Sequence, residues 1–325
     1  MVQPTDHHLV LPWAASLSEG CQQALGRLDA PGALPHLHAL LGHLRDAHWL
    51  KGDEYDPATP HERVLARLRG WPDAQAPWAA DQAQRDGLRP EPGQAWGLMT
   101  PCHWLMGHDH LTVVHPDELQ LSETESRALF KPLQDLFESD GWQMHWTTPT
   151  RWYAVHDSLA QFQTASLDRL IGRNPDLWMP EATQARHLKR LQAEVQMMFH
   201  NHPVNEAREA EGRLTVNSFW LSGCGVATAD LGGPLPLGTR VDDSLRQAML
   251  RNDVTAWEAA WQVLDQGLVH EALQAHLAGR RVRLTLCGER HAVALQAAEP
   301  QGLMSRLRQM FKPASPQVAP LLQDL

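Results

Sequence analysis

The sequence predicts an α/β protein with a mixed, mostly parallel sheet, flanking helices and a C-terminal antiparallel hairpin. Along its 325 residues, short apolar runs bounded by turn residues alternate with segments of helical apolar spacing. This alternation favours parallel strands joined by covering helices. Near the end of the chain, two apolar runs flank Gly288-Glu289, a short loop that is typical of a hairpin.

Eight runs are predicted as strands because each is short, apolar and bounded by turn residues. They are His8–Leu11, Ala95–Thr100, Leu111–His115, Trp142–Thr147, Trp152–His156, Val216–Leu221, Val282–Cys287 and His291–Gln296. In the first arm of the hairpin, Val282, Leu284 and Leu286 share one face of an extended chain. This alternation indicates one apolar and one polar face.

Seven segments are predicted as helices because their apolar residues recur at helical spacing. They are Leu17–Leu28, Leu34–Leu44, His61–Arg69, Ser122–Glu138, Thr183–Asn201, Asp242–Leu250 and Thr255–Leu277. The fourth begins with Ser122 and has Glu125 three residues later, which is the pattern of a capping box.

Two stretches are rich in helix and strand breakers. The stretch 53–101 contains seven prolines, and Ala227–Asp243 contains two glycines followed by proline. We expect one large α/β unit over residues 1–312, with any subdivision falling in the stretch 53–101. Residues 313–325 are spaced by prolines, and we expect them to form a flexible tail.

Composition places the chain among ordinary globular proteins, with 43% hydrophobic and 20% charged residues. No apolar run is long enough for a transmembrane helix, and the first residues do not resemble a secretory leader. The four cysteines are widely spaced, which argues against a disulfide framework. We therefore expect a cytoplasmic protein without a membrane partner.

The net charge of −10 lies entirely in the first 160 residues. An acidic half disfavours nucleic-acid binding, which needs a positive face. The basic run Arg280-Arg281-x-Arg283 is interpreted as a solvated strand edge that blocks edge-to-edge pairing. The expected partner is a small anionic ligand or another protein.

The segment 102–110 holds the densest group of metal-ligating residue types. Cys102, His103, His108 and His110 carry the sulfur and nitrogen atoms that zinc prefers. No matching Cys or His pair stands elsewhere at a suitable spacing, so surface histidines on a turn are the favoured interpretation. The alternative is a metal-dependent phosphoryl-transfer or hydrolytic enzyme using zinc or manganese. In the favoured interpretation, the protein has neither a cofactor nor a catalytic residue.

The predicted ligand site follows the strand predicted over Val216–Leu221. Gly223 and Gly225 let the backbone approach a ligand closely, and successive N–H groups on a turn bind anions. Free amides there would also lower the pKa of the Cys224 thiol. The alternative is that these glycines only end a strand tightly. The full candidate set is Asn217, Ser218, Ser222, Gly223, Cys224 and Gly225, with Arg173 or Arg208 as the cation.

A resemblance to a known family centres on Asn217–Gly225. Its pattern, Asn-x-hydrophobic-Trp-Leu-x-Gly-x-Gly, resembles a segment of the archaeal-type cofactor-independent phosphoglycerate mutases. More widely, the chain resembles the RpfE-type proteobacterial proteins that are called phosphoglycerate mutase-like. The residues that carry this wider likeness are Trp96–Trp104, Asp168–Arg173, His202–Asn205 and Leu286–Arg290.

The likeness to the mutases implies an alkaline-phosphatase-like fold, with two divalent metals held by Asp and His at several strand ends. This chain departs from that pattern. The first predicted strand, His8–Leu11, runs into Pro12–Ser16 without an aspartate, and we expect Gly107–His110 to form a single short turn. The resemblance therefore carries no catalytic residue onto this chain. The expected function is that of a non-catalytic or regulatory binding protein.

Overall fold

A computed structural model describes residues 7–44, 46–73, 75–107, 111–179, 183–297 and 318–325. The chain divides into two compact units. Unit 1 comprises Met1–Glu54, Thr59–Arg69 and Pro234–Leu325, and unit 2 comprises Tyr55–Ala58 and Gly70–Gly233. The sequence predicts a single unit instead. The chain passes from one unit to the other at four places. Three of these places fall in the proline-rich stretch 53–101, and the fourth lies in the predicted loop that follows residue 227.

The strands of both units are, in chain order, β1 (His7–Pro12), β2 (Asp46–Leu50), β3 (Ala95–Cys102), β4 (Trp104–Met106), β5 (Leu111–Val113), β6 (Gln143–Thr148), β7 (Arg151–Val155), β8 (Ser218–Val226), β9 (Thr239–Val241), β10 (Val282–Cys287) and β11 (Ala292–Gln296). All eight predicted strands are present. The three that the sequence did not predict, β2, β4 and β9, have five residues or fewer.

The helices are α1 (Glu19–Leu28), α2 (Pro35–His43), α3 (Pro60–Leu68), α4 (Trp78–Arg85), α5 (Glu123–Ser139), α6 (Leu167–Leu170), α7 (Thr183–His200), α8 (Pro203–Ala210), α9 (Ser244–Leu250), α10 (Val254–Leu264), α11 (His270–Leu277) and α12 (Val318–Gln323). All seven predicted helices are present. The predicted helix Thr255–Leu277 is divided by a π-helical turn over Asp265–Val269. Among the described residues, no helix has the length and hydropathy to cross a membrane.

The sheet of unit 1 is mixed, in the order β2-β11-β10-β1-β9. β1 pairs in parallel with β9 and β10, while β11 pairs antiparallel with β10 and β2. Leu9 and Val10, which are adjacent on β1 and face opposite sides of the sheet, are both fully buried, as expected for a strand covered on both faces. The predicted α/β class, mixed sheet and C-terminal hairpin are confirmed. Among the strands that the structure describes, parallel pairing joins only β9, β1 and β10.

The hairpin between β10 and β11 corrects two details of the prediction. Its loop covers four residues instead of two, and the Gly288 N–H donates to the His291 carbonyl across 2.9 Å. β10 lies between β1 and β11, so Arg283 is not on a sheet edge. Its guanidinium donates to Gln296 Oε1 on the neighbouring strand. The interpretation of the basic run as an edge is therefore wrong.

The end of the chain is ordered where the structure describes it. Residues 318–325 include α12, and the side chains of Val318, Leu322 and Leu325 are buried. The carbonyl oxygen of Leu325 accepts the backbone N–H groups of Arg290 and His291. The prediction of a flexible tail is wrong for these eight residues, because their apolar side chains pack on unit 1.

The main sheet of unit 2 is antiparallel, in the order β6-β7-β3-β8, and β4 pairs with β5 in a separate small sheet. Helices α5 and α7 contribute Phe137 and Phe199 to a core that also contains Phe219 of β8. Trp220 belongs to a second core, and its indole N–H donates to the Ala165 carbonyl. Although β8 is an edge strand, both of its faces are covered.

Candidate functional site

The structure places Ser222–Gly225 inside β8, where the sequence predicts a turn after a strand. In the antiparallel pairing with β3, Ser222 lies opposite Leu98 and Gly225 lies opposite Trp96. The rule that ligands bind beyond the carboxyl ends of strands applies to parallel α/β sheets. The predicted turn is therefore wrong, and the premise for an anion nest there is lost.

The two glycines of β8 allow the start of α4 to pack against the strand. Gly223 has a φ of +62°, and a Cβ atom there would lie 3.0 Å from the Ala79 backbone nitrogen. A Cβ on Gly225 would lie 2.9 Å from the Gln75 carbonyl oxygen. These distances support a packing role for both glycines. Anion binding at Ser222–Gly225 stays a prediction from the sequence.

The Cys224 thiol lies in an environment opposite to the predicted one. Cys224 is 6% exposed, and the Thr164 hydroxyl donates a hydrogen bond to its sulfur. Burial raises the pKa of the Cys224 thiol to about 12. A protonated, buried thiol is chemically inert.

The polar residues at the start of β8 hold neighbouring elements together. The Asn217 side chain accepts the Trp104 N–H at 2.7 Å and donates to the Trp104 carbonyl at 3.0 Å. The Ser218 hydroxyl accepts the side-chain amide of Gln196 from α7. Both candidates therefore have protein partners, as buried polar groups require.

Arg208 is fully engaged as a structural cation. Its residue is 1% exposed, and its guanidinium donates to Leu214, Leu119 and Glu125. The other candidate cation, Arg173, follows α6, and its carbonyl oxygen accepts the Val113 N–H. Arg208 is therefore occupied by protein partners, and a ligand held by the predicted set stays a prediction from the sequence.

The candidate metal ligands of the segment 102–110 are only partly described. Cys102 is buried, its sulfur accepts the Trp104 indole N–H, and burial raises the pKa of its thiol to about 12. His103 Nδ1 lies 2.9 Å from the Thr215 carbonyl oxygen. His108 and His110 lie outside the described residues. Within the described ranges, no group of three or more His, Cys, Asp or Glu side chains is arranged to hold a metal ion.

A cleft of about 600 Å³ in unit 1 gathers polar and charged side chains. It lies at the amino ends of β1 and β9, beside the first turn of α11. The lining residues are His7, Gly238, Thr239, Arg240, His270, Glu271, Gln274 and Arg280. We call it the His7 cleft.

Two buried polar atoms of the His7 cleft have no hydrogen-bond partner among the described residues. They are His7 Nε2 and the Thr239 hydroxyl oxygen. Native proteins rarely leave such atoms unsatisfied, so each calls for a ligand or an ordered water. An unsatisfied buried polar atom costs about 1–3 kcal/mol.

The charged side chains of the His7 cleft leave one cation in excess when its histidines are neutral. Arg240 donates to Glu271 across 2.7 Å, and both side chains are more than half exposed. Arg280 is exposed and forms no ion pair with a described residue. Within the described part of the chain, the cleft therefore combines a guanidinium that forms no ion pair with hydrogen-bonding atoms that have no partner.

The opposite end of the unit 1 sheet is closed by protein. Beyond the carboxyl ends of β1 and β10, Trp13 and Glu289 are buried. The Glu289 carboxylate accepts the Ser16 hydroxyl at 3.0 Å and the Leu17 N–H at 2.8 Å. The position at which an open α/β sheet usually binds its ligand is thus occupied by the chain itself.

Sequence reasoning missed the His7 cleft because its residues come from three separate segments. One signal was present, because Arg280 belongs to the basic run Arg280-Arg281-x-Arg283. That run was the only basic concentration in the sequence, but nothing in it indicated proximity to His7 or Thr239.

No protein-family model and no curated protein matches this chain. Solved structures that are similar to it include the following two. The cofactor-independent phosphoglycerate mutase from Thermoplasma acidophilum DSM 1728 is 12% identical, with 92% of this chain and 91% of that chain covered and a TM-score of 0.36. The PH0037 protein from Pyrococcus horikoshii is 12% identical, with 91% and 88% covered and a TM-score of 0.44. At these values, neither likeness identifies a function for this chain.

Proposed function

We propose that this protein binds a small anion in the His7 cleft. The observation that carries the proposal is that one cleft is lined by Arg280 and by two buried atoms without a hydrogen-bond partner among the described residues, His7 Nε2 and the Thr239 hydroxyl oxygen. The relation to RpfE-type proteins and the cytoplasmic location stay predictions from the sequence.

The donor set of the cleft favours an oxyanion. A guanidinium forms short, charge-assisted hydrogen bonds to phosphate, sulfate or carboxylate oxygens. The Thr239 hydroxyl and the Gln274 amide are further donors on the same lining. Glu271 would repel an anion, but its pairing with Arg240 offsets that charge. The charges and hydrogen-bond donors that line the cleft therefore favour a negatively charged ligand near Arg280.

The size of the cleft indicates a ligand larger than an inorganic ion. Its volume of about 600 Å³ falls within the usual range for small-molecule sites. An anionic group held by Arg280 would leave room for a polar remainder beside Gln274 and His270. We therefore propose a small organic molecule with an oxyanion group as the natural ligand.

Replacing Arg280 with alanine should weaken binding of inorganic phosphate at least about tenfold. A hydrogen bond to a charged group contributes about 1.5–3 kcal/mol, and 1.4 kcal/mol is tenfold in affinity. Isothermal titration calorimetry at constant ionic strength measures the effect, because added phosphate otherwise screens charges generally.

The matched control is Arg281→Ala, which removes the same charge one residue away, outside the cleft lining. It should change the affinity less than about threefold, as expected for a screened surface charge. Equal losses in the two variants would show that phosphate responds only to net charge. Unchanged binding in R280A would place the anion elsewhere.

A further inference from the structure

We infer that anion binding in the His7 cleft is coupled to protonation of His7, so that affinity rises as the pH falls. This inference rests on the proposed function, because it concerns regulation of the same site. It starts from the position of His7, whose Nε2 atom is buried in the cleft without a partner among the described residues.

Backbone hydrogen bonds hold the main chain in place at His7. The His7 N–H donates to the Arg281 carbonyl at 3.1 Å, and the His8 N–H donates to the Gly238 carbonyl at 2.9 Å. His7 is thereby fixed between the segment before β10 and the start of β9. A proton gained by the ring would place its charge beside the cleft, because the main chain cannot carry the residue away.

Charged groups of the neighbouring elements surround His7. Arg280 precedes β10, Arg240 lies on β9 and Glu271 lies on α11. His8, the next residue of β1, points to the opposite face and bonds to the Thr285 hydroxyl. Among the residues that the structure describes, two guanidinium groups against one carboxylate leave a positive environment that opposes protonation of His7 when no anion is bound.

A second titratable histidine lines the cleft on α11. The His270 ring stacks on His36 with centroids 4.4 Å apart, and His36 Nδ1 lies 3.0 Å from the buried Asp265 carboxylate. The His270 Nε2 atom lies 3.1 Å from the Gln274 side-chain nitrogen. The His270 ring thus has polar partners, whereas His7 Nε2 has no hydrogen-bond partner among the described residues, so we assign the coupling to His7.

The sign of the coupling follows from the free state. Burial lowers the pKa of His7 below its ordinary value of 6.5, with Arg280 and Arg240 adding to the effect and Glu271 opposing it. His7 is therefore largely neutral near neutral pH. A bound anion favours the charged ring and raises this pKa. By linkage, protonation must strengthen anion binding by the same factor.

Sulfate is the probe for this coupling, because its charge stays constant between about pH 5 and about pH 8, the range over which histidine titrates. Wild-type protein should bind sulfate about tenfold more tightly at the lower pH, because a bound anion raises the pKa of His7 and protonation in turn strengthens binding. Calorimetry at intermediate pH in buffers of different ionisation enthalpy should also show proton uptake on binding.

His7→Gln removes the titrating ring, and we expect it to bind sulfate with nearly the same affinity at both pH values. His270→Gln should keep the wild-type pH dependence. A flat profile in H270Q with a normal slope in H7Q would overturn the assignment to His7. Tight sulfate binding by wild type without pH dependence or proton uptake would overturn the coupling alone. No sulfate or phosphate binding at any pH would instead overturn the proposed function.

Discussion

Replacing Phe219 with alanine should lower the free energy of unfolding by about 3–5 kcal/mol, the usual loss for a truncated buried aromatic residue. Phe219 is 1% exposed, and its ring meets the Phe137 ring edge-on with centroids 5.9 Å apart. The substitution leaves a cavity between β8 and α5, and neighbouring side chains can fill it only in part. Urea unfolding followed by circular dichroism measures the loss.

The control for Phe219 is a large apolar residue on the surface of the same unit. Met106 is 80% exposed, so Met106→Ala should change the free energy of unfolding by less than about 1 kcal/mol. A similarly small loss for F219A would mean that β8 is not packed as described. Such a result would also undermine the placement of Gly223 and Gly225 against α4.

Replacing Arg208 with alanine should cost a similar amount, about 3–5 kcal/mol, because it removes a buried guanidinium that is paired with the partly buried Glu125 carboxylate. Arg208 Nη1 donates to Glu125 Oε1 at 2.8 Å, and the same guanidinium satisfies the carbonyl oxygens of Leu119 and Leu214. Without it, these groups lose hydrogen bonds in an interior from which water is largely excluded. Urea unfolding at neutral pH measures the loss.

Glu125 gives this prediction a pH signature. Burial raises the pKa of Glu125, but hydrogen bonds from Ser122, Arg208 and Arg213 outweigh it and lower the pKa from 4.5 to about 2. A carboxyl with a lowered pKa stabilises the fold above its unfolded pKa and loses that contribution as pH falls. The loss in R208A should therefore shrink between about pH 4.5 and about pH 2.

The control for Arg208 is an exposed cation in a helical ion pair. Lys131 pairs with Asp135 at the surface, and its side chain is 68% exposed. Lys131→Ala should cost less than about 1 kcal/mol, as exposed pairs usually do. Equal losses for K131A and R208A would contradict a buried role for Arg208.

Local patterns in the sequence predicted most of the fold. The capping box at Ser122 and Glu125 is formed, with the Ser122 hydroxyl 2.7 Å from Glu125 Oε2. Val282–Cys287 matches β10 at both ends. These elements depend on residues that are close in sequence, so periodicity and capping signals were sufficient to place them.

Elements whose stability depends on distant partners were not predicted. Trp78–Arg85 is short and stands among prolines, and its buried face is explained by the glycines of β8. Val318–Gln323 is a short helix, and its apolar residues are buried only because they pack on the rest of unit 1. Neither segment carries a helical signal strong enough to be separated from a loop by sequence alone.

The candidate site likewise depends on residues that are distant in sequence, which local patterns could not bring together. The residues predicted around Gly223 are neighbours in sequence, but Arg208 is bound to Glu125 and Cys224 is buried. The His7 cleft instead joins β1, β9 and the segment before β10, and their adjacency follows from parallel pairing. Strand order in a sheet is a tertiary property, so local pattern reasoning did not bring His7 and Arg280 together.

A crystal of the full chain grown with selenate, a tetrahedral oxyanion with a strong anomalous signal, tests the central claim most directly. We expect an anomalous peak in the His7 cleft, with selenate oxygens within hydrogen-bonding distance of the Arg280 guanidinium and the Thr239 hydroxyl, about 2.7–3.2 Å. A cleft without selenate, while the anion occupies other positions on the same molecule, would contradict the assignment of this protein as an anion binder at His7.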